Sequence, residues 1–403
     1  MYFVHPQLKF NLTNLLNLFF CFLKKSKEEE LLKNIKEMFP EREIYFTDMG
    51  RSAFRLIIEK FNLQNSEILF PAFICDIFYP LFKKYNLSPV FLDINLKTFN
   101  IKPEEIEKKI TKKTKAILVC HTYGFPADLR KILPLAKKYN LLVIEDCTHS
   151  FGAKYDGKFL GNFGEASFFS LYKLFPTLRG GMAVIKTQKS KVKNQKSSFQ
   201  GSPFRWKRNG TVVKSQNYLK ETHFSFRDFL SLLNCFSFFS FLFKKYGAKI
   251  APKYVREEKL SEIGGLNRVS LNIFSWQMRN FEKILEKRRE LGLIFQEELK
   301  KLGFEVQESK NNIFTFLSAQ VPKNIDRDKF VIGLRKKGVF LTRIWKDPII
   351  LNPEVQKEYD INPEEFPETL QAAKRIVNFP LQNFYTKKEI KNLIEKIKTA
   401  IRR

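Results

Sequence analysis

This 403-residue chain predicts a three-layer α/β domain on a mostly parallel sheet, followed by a smaller C-terminal α+β domain. Two observations carry that prediction. From Tyr45 to Val184, short β-branched and aromatic runs alternate with stretches of helical periodicity, the pattern of strands joined by crossover helices. Several of those runs are apolar at nearly every position, as strands buried on both faces are, and one of them, VIEDC (Val143–Cys147), closes on two acids where such a strand surfaces. The chain is long enough to bury one large and one small core.

In order, residues 1–44 read as an N-terminal helical arm. Within it, Asn11, Asn14 and Asn17 form a polar stripe and Leu12, Leu15, Leu16, Phe19 and Phe20 an apolar one, so Phe10–Leu23 predicts an amphipathic helix. That segment is too short to span a bilayer and no small-residue cleavage pattern follows it, so no secretion signal is read. Residues 45–265 form the large domain, with strands expected at Glu67–Phe70, Val90–Ile94, Ala116–His121, Leu141–Glu145, Ala166–Leu171 and Met182–Ile185, and a helix over Asp128–Tyr139. Residues 266–403 form a connecting helix, Leu266–Gly292, and the small domain. Its strands are expected at Phe304–Val306, Ile313–Leu317 and Val339–Ile344, with a closing helix over Lys387–Ile401. No internal repeat is visible.

Ligands of such a fold belong at the carboxyl ends of the strands. Asp146 falls there, and Lys173 ends the apolar run ASFFSLYK 27 residues later. A lysine amine can bind an aldehyde as a Schiff base and act as a base, and an aspartate paired with a pyridine nitrogen keeps that ring an electron sink. Together they imply pyridoxal 5'-phosphate. A phosphate cradle is read in DMGRSAF: Gly50, Arg51 and Ser52 stand at the start of a helix whose unpaired N–H groups and dipole attract anions, and Arg51 adds a forked donor. Ser170 and Arg179 flank Lys173 and can complete it, while Gly180 and Gly181 permit close backbone approach. Asp146 alone is an ordinary strand-end carboxylate and Arg51 alone an ordinary surface cation; their register with Lys173 is what favours the functional reading.

The segments GRSAF, FPAF, PVFLDI, TKAILVCHTYGFPADL, VIEDCTHSFGA, GEASFFSLYK and LRGGMAV, in that order from Tyr45 to Thr187, resemble the DegT/StrS-type sugar aminotransferases of the pyridoxal-phosphate-dependent aspartate aminotransferase fold. The resemblance implies Lys173 as the Schiff-base lysine, Asp146 as the pyridinium partner and Ser170 as a phosphate ligand. It implies a homodimer whose sites are completed across the subunits, where Asn267 and Arg268 resemble the segment that reaches the neighbour's cofactor phosphate. It also implies an amino-acid donor such as glutamate and a keto group on a nucleotide-linked sugar as acceptor, in surface polysaccharide synthesis. The chain departs from the family pattern in its short Ser-x-x-Lys spacing and in His149, which stands where many members carry a glutamine against the cofactor's ring oxygen. It departs also in Gly50-Arg51, where members have glycine-threonine, and in Cys75, where members place a stacking aromatic, which leaves either Phe73 to stack on the cofactor or no ring there. Other readings compete: a different pyridoxal reaction or a non-sugar acceptor on the same fold, and a non-catalytic cofactor-binding regulator or membrane-docked scaffold.

The formal charge of +29 is concentrated in part between Lys186 and Lys220, which holds ten Lys or Arg and no acid. That composition reads as an exposed loop (186–220), able to attract a diphosphate nucleotide, and much of the remaining excess as coding bias alongside 43 Phe. No nucleic-acid partner is read from it. Phe224–Phe243 is a Phe-rich insertion, read either as a buried helix pair at a domain or dimer contact, or as a peripheral membrane contact with the basic loop on anionic headgroups. The five cysteines lack CxxC spacing and form no metal-like cluster with the four histidines, which fits a reducing cytoplasm without structural metal. His121 reads as a turn-fixing residue. Arg343 and Trp345, in TRIW, are candidates either to grip substrate or to pack the small domain.

Overall fold

The computed structural model describes residues 2–25, 28–177, 179–187, 219, 222, 223, 236, 263–307 and 312–401. Most of the basic loop and of the Phe-rich insertion lies outside these residues.

A short strand, β1 (Tyr2–Phe3), opens the chain. The large sheet is built from β2 (Arg42–Thr47), β3 (Glu67–Pro71), β4 (Ser88–Leu92), β5 (Thr114–Cys120) and β6 (Leu142–Asp146), then, after a small hairpin of β7 (Lys154–Tyr155) and β8 (Lys158–Phe159), β9 (Ala166–Ser170) and β10 (Gly181–Lys186). Its spatial order is β2-β10-β9-β6-β5-β3-β4, and β10 alone runs against the rest. Ile117, Val119, Val143, Phe169, Met182 and Val184 bury one face under the helices Glu28–Met38, Leu129–Lys138 and Arg268–Met278. Ile68, Phe70, Ala116, Leu118, Ile144 and Phe168 bury the other under the helices Gly50–Lys60 and Tyr79–Tyr85. Burial on both faces explains why these strands read as continuous apolar runs.

The sequence placed the central strands within a residue or two and missed β2. That strand lies at the sheet's edge and mixes Arg42 and Glu43 into its start, so its apolar run is short. The long helical periodicity over Leu266–Gly292 divides into Arg268–Met278 and Phe281–Lys301, with the break at Arg279 and Asn280. In the C-terminal part, β11 (Glu305–Val306), β12 (Leu317–Gln320) and β14 (Ile376–Phe379) form an antiparallel sheet, while β13 (Val339–Phe340) pairs in parallel with β1 instead. The strand expected at Ile313–Leu317 begins only at Leu317, because Phe314 adopts φ +51° and its N–H is taken by the Asn312 side chain at 2.6 Å.

The N-terminal residues are divided among other elements of the fold. β1 joins the C-terminal part, Glu28–Met38 packs under the large sheet, and Leu12–Leu23 lies on the Arg268–Met278 helix.

Candidate active site

The strands deliver the site at their carboxyl ends. β6 ends at Asp146, which is 2% exposed, and its Oδ1 accepts the Thr148 N–H at 2.9 Å. The neighbouring β9 ends at Ser170, and the chain turns at once through a short helical turn, Leu171–Lys173. Lys173 Nζ then lies 3.1 Å from His149 Nε2. Burial raises the Asp146 carboxyl above its usual range, and the charge of Lys173 and the bonds from Thr148 oppose that rise. A cation on the far side of the carboxylate would favour its ionised form further.

His149 is fully enclosed. Its Nδ1 accepts the Tyr123 backbone N–H at 3.3 Å, which Tyr123 can aim there because it adopts φ +61°. Since a peptide N–H can only donate, Nδ1 is spent as its acceptor and Nε2 is the ring nitrogen left to face Lys173. Burial, reinforced by Lys173, pushes His149 well below its ordinary range, so the ring stays neutral near pH 7. The Tyr123 ring stacks on it at 5.7 Å, Trp345 is tilted against it at 5.0 Å and Phe316 meets it edge-on at 5.0 Å. The Tyr123 hydroxyl in turn donates to the Ile344 carbonyl at 2.6 Å, fixing the segment that carries Trp345.

The cradle stands on the other side of β9. The helix Gly50–Lys60 begins against the ends of β9 and β10: a Cβ on Gly50 would meet the Phe169 carbonyl at 3.2 Å and Ser170 Cβ at 3.4 Å, and one on Gly181 would meet the Met49 carbonyl at 2.2 Å. Side chains larger than hydrogen would therefore separate the helix start from Ser170. Ser52 is buried and hydrogen-bonded to Asp48, whose carboxyl burial raises and whose neighbours include Arg179 and Arg51. Arg51 also reaches the Met49 sulfur at 3.3 Å. Asn267 caps the Arg268–Met278 helix through Oδ1, which accepts the Ser270 N–H at 2.9 Å; its Nδ2 is buried and has no hydrogen-bond partner among the described residues. Helix-start N–H groups, Ser170 and two arginines are the donor set an anionic phosphate ester takes, and a buried carboxylate beside a lysine suits a pyridinium ring and an aldehyde. The residues fit pyridoxal phosphate.

Phe73 is placed differently from the reading that stacks it on a cofactor. It is wholly buried, and its ring is engaged by Phe99, Tyr123 and Trp345 at 5.8, 6.3 and 5.5 Å. Arg343 is turned to Asp328, a carboxyl that Arg327 and Arg343 together hold down to about 2. The sequence reading missed Asp48, Tyr123 and Thr148. Asp48 stood in plain view two residues before Gly50, whereas nothing in a linear pattern shows that a tyrosine will take a left-handed conformation and hand its N–H to a histidine.

His121, Glu145 and Cys147 also converge, with ligand atoms within 4.8 Å of one another. The polar atoms of Glu145 and His121 are spent. Glu145 accepts from Gly161, Phe163 and Gly164 N–H at 2.7–2.8 Å and from His121 at 3.1 Å, while His121 Nδ1 takes the Ala127 N–H. Burial alone would raise Glu145, but His121 and the peptide donors outweigh it and keep the carboxyl below its usual range. The cluster ties loops together behind the site, the turn-fixing role expected of His121.

A buried acid and a lysine on adjacent strand ends, beside a helix-start phosphate cradle, define a fold type I pyridoxal-phosphate-dependent transferase. The chain belongs to the DegT/DnrJ/EryC1/StrS aminotransferase family, whose sequence profile matches residues 33–222 and 239–398. It is an enzyme of that family, and pyridoxal phosphate is the family's cofactor. An uncharacterised protein of Methanocaldococcus jannaschii is 27% identical over 324 residues, 78% of this chain and 74% of that protein. GDP-perosamine synthase of Escherichia coli O157:H7 is 42% identical over 123 residues, 30% of this chain and 34% of that protein. Among solved structures, the Helicobacter pylori aminotransferase involved in the biosynthesis of pseudoaminic acid superposes with a TM-score of 0.71, at 16% identity, over 100% of both chains.

Proposed function

We propose that this aminotransferase moves an amino group from an amino acid, glutamate in the first instance, to a keto group of a nucleotide-linked sugar used in surface polysaccharide synthesis. The observation that supports this reading most is the placing of Lys173 against His149 at 3.1 Å, beside buried Asp146 and with Gly50 packed on Ser170. GDP-perosamine synthase, 42% identical over its matched part, supports the nucleotide-sugar acceptor. When bound, pyridoxal phosphate supplies an aldehyde that captures amines and a ring that withdraws electrons from the carbon carrying them.

The residues of the chain do the rest. Gly50, Arg51, Ser52, Ser170 and Arg179 hold the phosphate, and the enzyme acts as a homodimer. Asp146 keeps the ring nitrogen protonated, and burial strengthens that pairing because few waters compete. His149 presents Nε2 to the ring oxygen. Lys173 Nζ is the base that takes a proton from the donor's Cα and returns one to the acceptor carbon. The enzyme works in the cytoplasm and contacts a membrane surface peripherally; no helix among the described residues is long and apolar enough to cross one.

Absorbance of the pyridoxal-phosphate-loaded protein tests the site. The parent is expected to show a visible band that borohydride fixes covalently and that glutamate bleaches, and Lys173→Ala to lose both responses. A parent band that glutamate leaves unchanged would overturn glutamate as the donor, and one that no amino acid bleaches would sink the transamination; bleaching followed by recovery with keto-sugar nucleotides, but not with simple keto acids alone, establishes the acceptor class.

A further inference from the structure

The Leu12–Leu23 helix is mounted with its apolar stripe outward. Leu12, Leu15, Leu16, Phe19 and Leu23 recur at helical spacing on one face, and they are exposed, Leu12 by 71%, Phe19 by 57% and Leu23 by 63%. Phe10 and Phe20 extend the patch. The opposite side is what the fold uses: Leu18 and Cys21 pack on Val269 and Ile273, together with Leu8 and Phe236. The orientation is pinned at both ends. Asn11 caps the start by accepting the Asn14 N–H at 2.8 Å, and the Asn14 side chain holds the Lys9 carbonyl at 2.7 Å. At the other end Asn272 donates to the Cys21 and Lys24 carbonyls at 3.0 and 3.1 Å, and Arg268 to the Phe22 carbonyl at 3.3 Å. An ordinary surface helix turns such a stripe to the core.

The rim of this patch is cationic. Lys9, Lys24, Lys25 and Arg279 are exposed around it, and the first acid in the chain is Glu28. A second copy meeting this patch about a two-fold axis would set those cations against their own counterparts, since such a contact is self-complementary. Apolar side chains bordered by cations match instead the boundary between acyl chains and anionic headgroups.

We propose that the outward stripe of Leu12–Leu23, with its cationic rim, is the surface by which the enzyme docks on an anionic lipid bilayer. This deepens the membrane contact proposed above, and rests on it, by naming the helix that makes it. The helix lies in the plane of the interface, with Leu12, Leu16 and Phe19 below the headgroups and Lys9, Lys24 and Lys25 among the phosphates.

Flotation of the full, cofactor-loaded chain tests this, with vesicles of phosphatidylcholine alone and of phosphatidylcholine with about one-third phosphatidylglycerol. The parent is expected to float with the anionic vesicles in low salt and to stay with the soluble fraction when they are neutral. The double variant Leu16→Glu/Phe19→Glu is expected to lose about tenfold or more in bound fraction, with helix content, sedimentation coefficient and glutamate half-reaction unchanged. Lys24→Glu/Lys25→Glu, which leaves the stripe intact, is expected to weaken anionic binding alone. A parent that stays soluble with anionic vesicles overturns the proposal, as does a Leu16/Phe19 variant that sediments as a smaller species, because the occupant is then a second copy. A half-reaction that no amino acid drives would count against the aminotransferase reading and leave the flotation result standing.

Discussion

At the residue scale, His149 is the side chain with the least freedom. Tyr123 N–H binds its Nδ1, three rings enclose it and Lys173 faces its remaining nitrogen. Its pKa is pushed down in the folded state, so below about pH 6.5 the unfolded chain binds a proton that the folded chain refuses. Stability from this group is therefore complete above that pH and is lost as pH falls beneath it, at up to about 1.4 kcal/mol per pH unit. His149→Gln, which can still accept the Tyr123 N–H, is expected to remove that acid sensitivity, read as a flatter urea midpoint between about pH 6.5 and 5. His149→Leu strands the N–H and is expected to be about 1–3 kcal/mol less stable than the Gln variant at every pH in that range. Equal pH slopes for parent and Gln variant would show that the ring titrates in the fold. Asp146 and Lys173 were legible in sequence because strand ends carry chemistry in this fold class. The hydrogen bond that orients His149 was not, because it depends on one residue's φ angle 26 positions away.

Among the elements, the close seating of the Gly50–Lys60 helix on β9 and β10 positions the phosphate cradle. Gly181→Ala puts a methyl 2.2 Å from the Met49 carbonyl, a contact that backbone must yield to, so the helix start is expected to move off Ser170. Cofactor retention should fall about tenfold or more, the penalty of a displaced anion site, while far-ultraviolet dichroism stays unchanged; dialysis against phosphate buffer followed by absorbance measures it. Glu145→Gln acts behind the sheet. The amide can accept at only one atom where the carboxylate accepts at two, so some of the Gly161, Phe163 and Gly164 donors lose their partner and about 2–4 kcal/mol of stability is expected to go with them. A urea midpoint unchanged from the parent would show that water replaces the carboxylate at no cost. The strands were readable because doubly buried β-structure writes itself as apolar runs. The Leu12–Leu23 helix was readable as amphipathic but not in its orientation, since periodicity names a stripe and not the side that faces the protein. The edge strand β2 and the break at Arg279–Asn280 were hidden for a related reason: pairing partners and helix ends are settled by tertiary contacts that composition does not encode.

Over the whole molecule, the chain's first residues are joined to its last fifth by strand pairing and, among the side chains, by Gln382. Gln382 is 2% exposed; its Nε2 donates to the Phe3 and His5 carbonyls at 2.6 and 2.8 Å, and its Oε1 accepts the Gln7 N–H at 3.0 Å. These bonds hold β1 alongside β13, and so anchor the segment that leads into the Leu12–Leu23 helix. Gln382→Ala removes all three of these bonds and is expected to cost about 2–4 kcal/mol. Gln382→Glu is nearly the same shape and is expected to be worse near pH 8. Its carboxylate can keep the Gln7 bond but faces the Phe3 and His5 carbonyls with acceptors only, and with a buried charge. That arrangement raises the new carboxyl's folded pKa above its unfolded value, so the protonated form is the one the fold prefers. As pH falls toward about 5 the acid gains an O–H to donate, and the Glu variant is expected to recover part of its loss while the Ala variant does not. Chemical denaturation of the three proteins at both pH values reads the order directly. If the Glu variant matches the Ala variant at pH 8 and gains nothing on acidification, Gln382 holds the N-terminal strand by shape alone and its hydrogen bonds to Phe3, His5 and Gln7 are not what closes the fold.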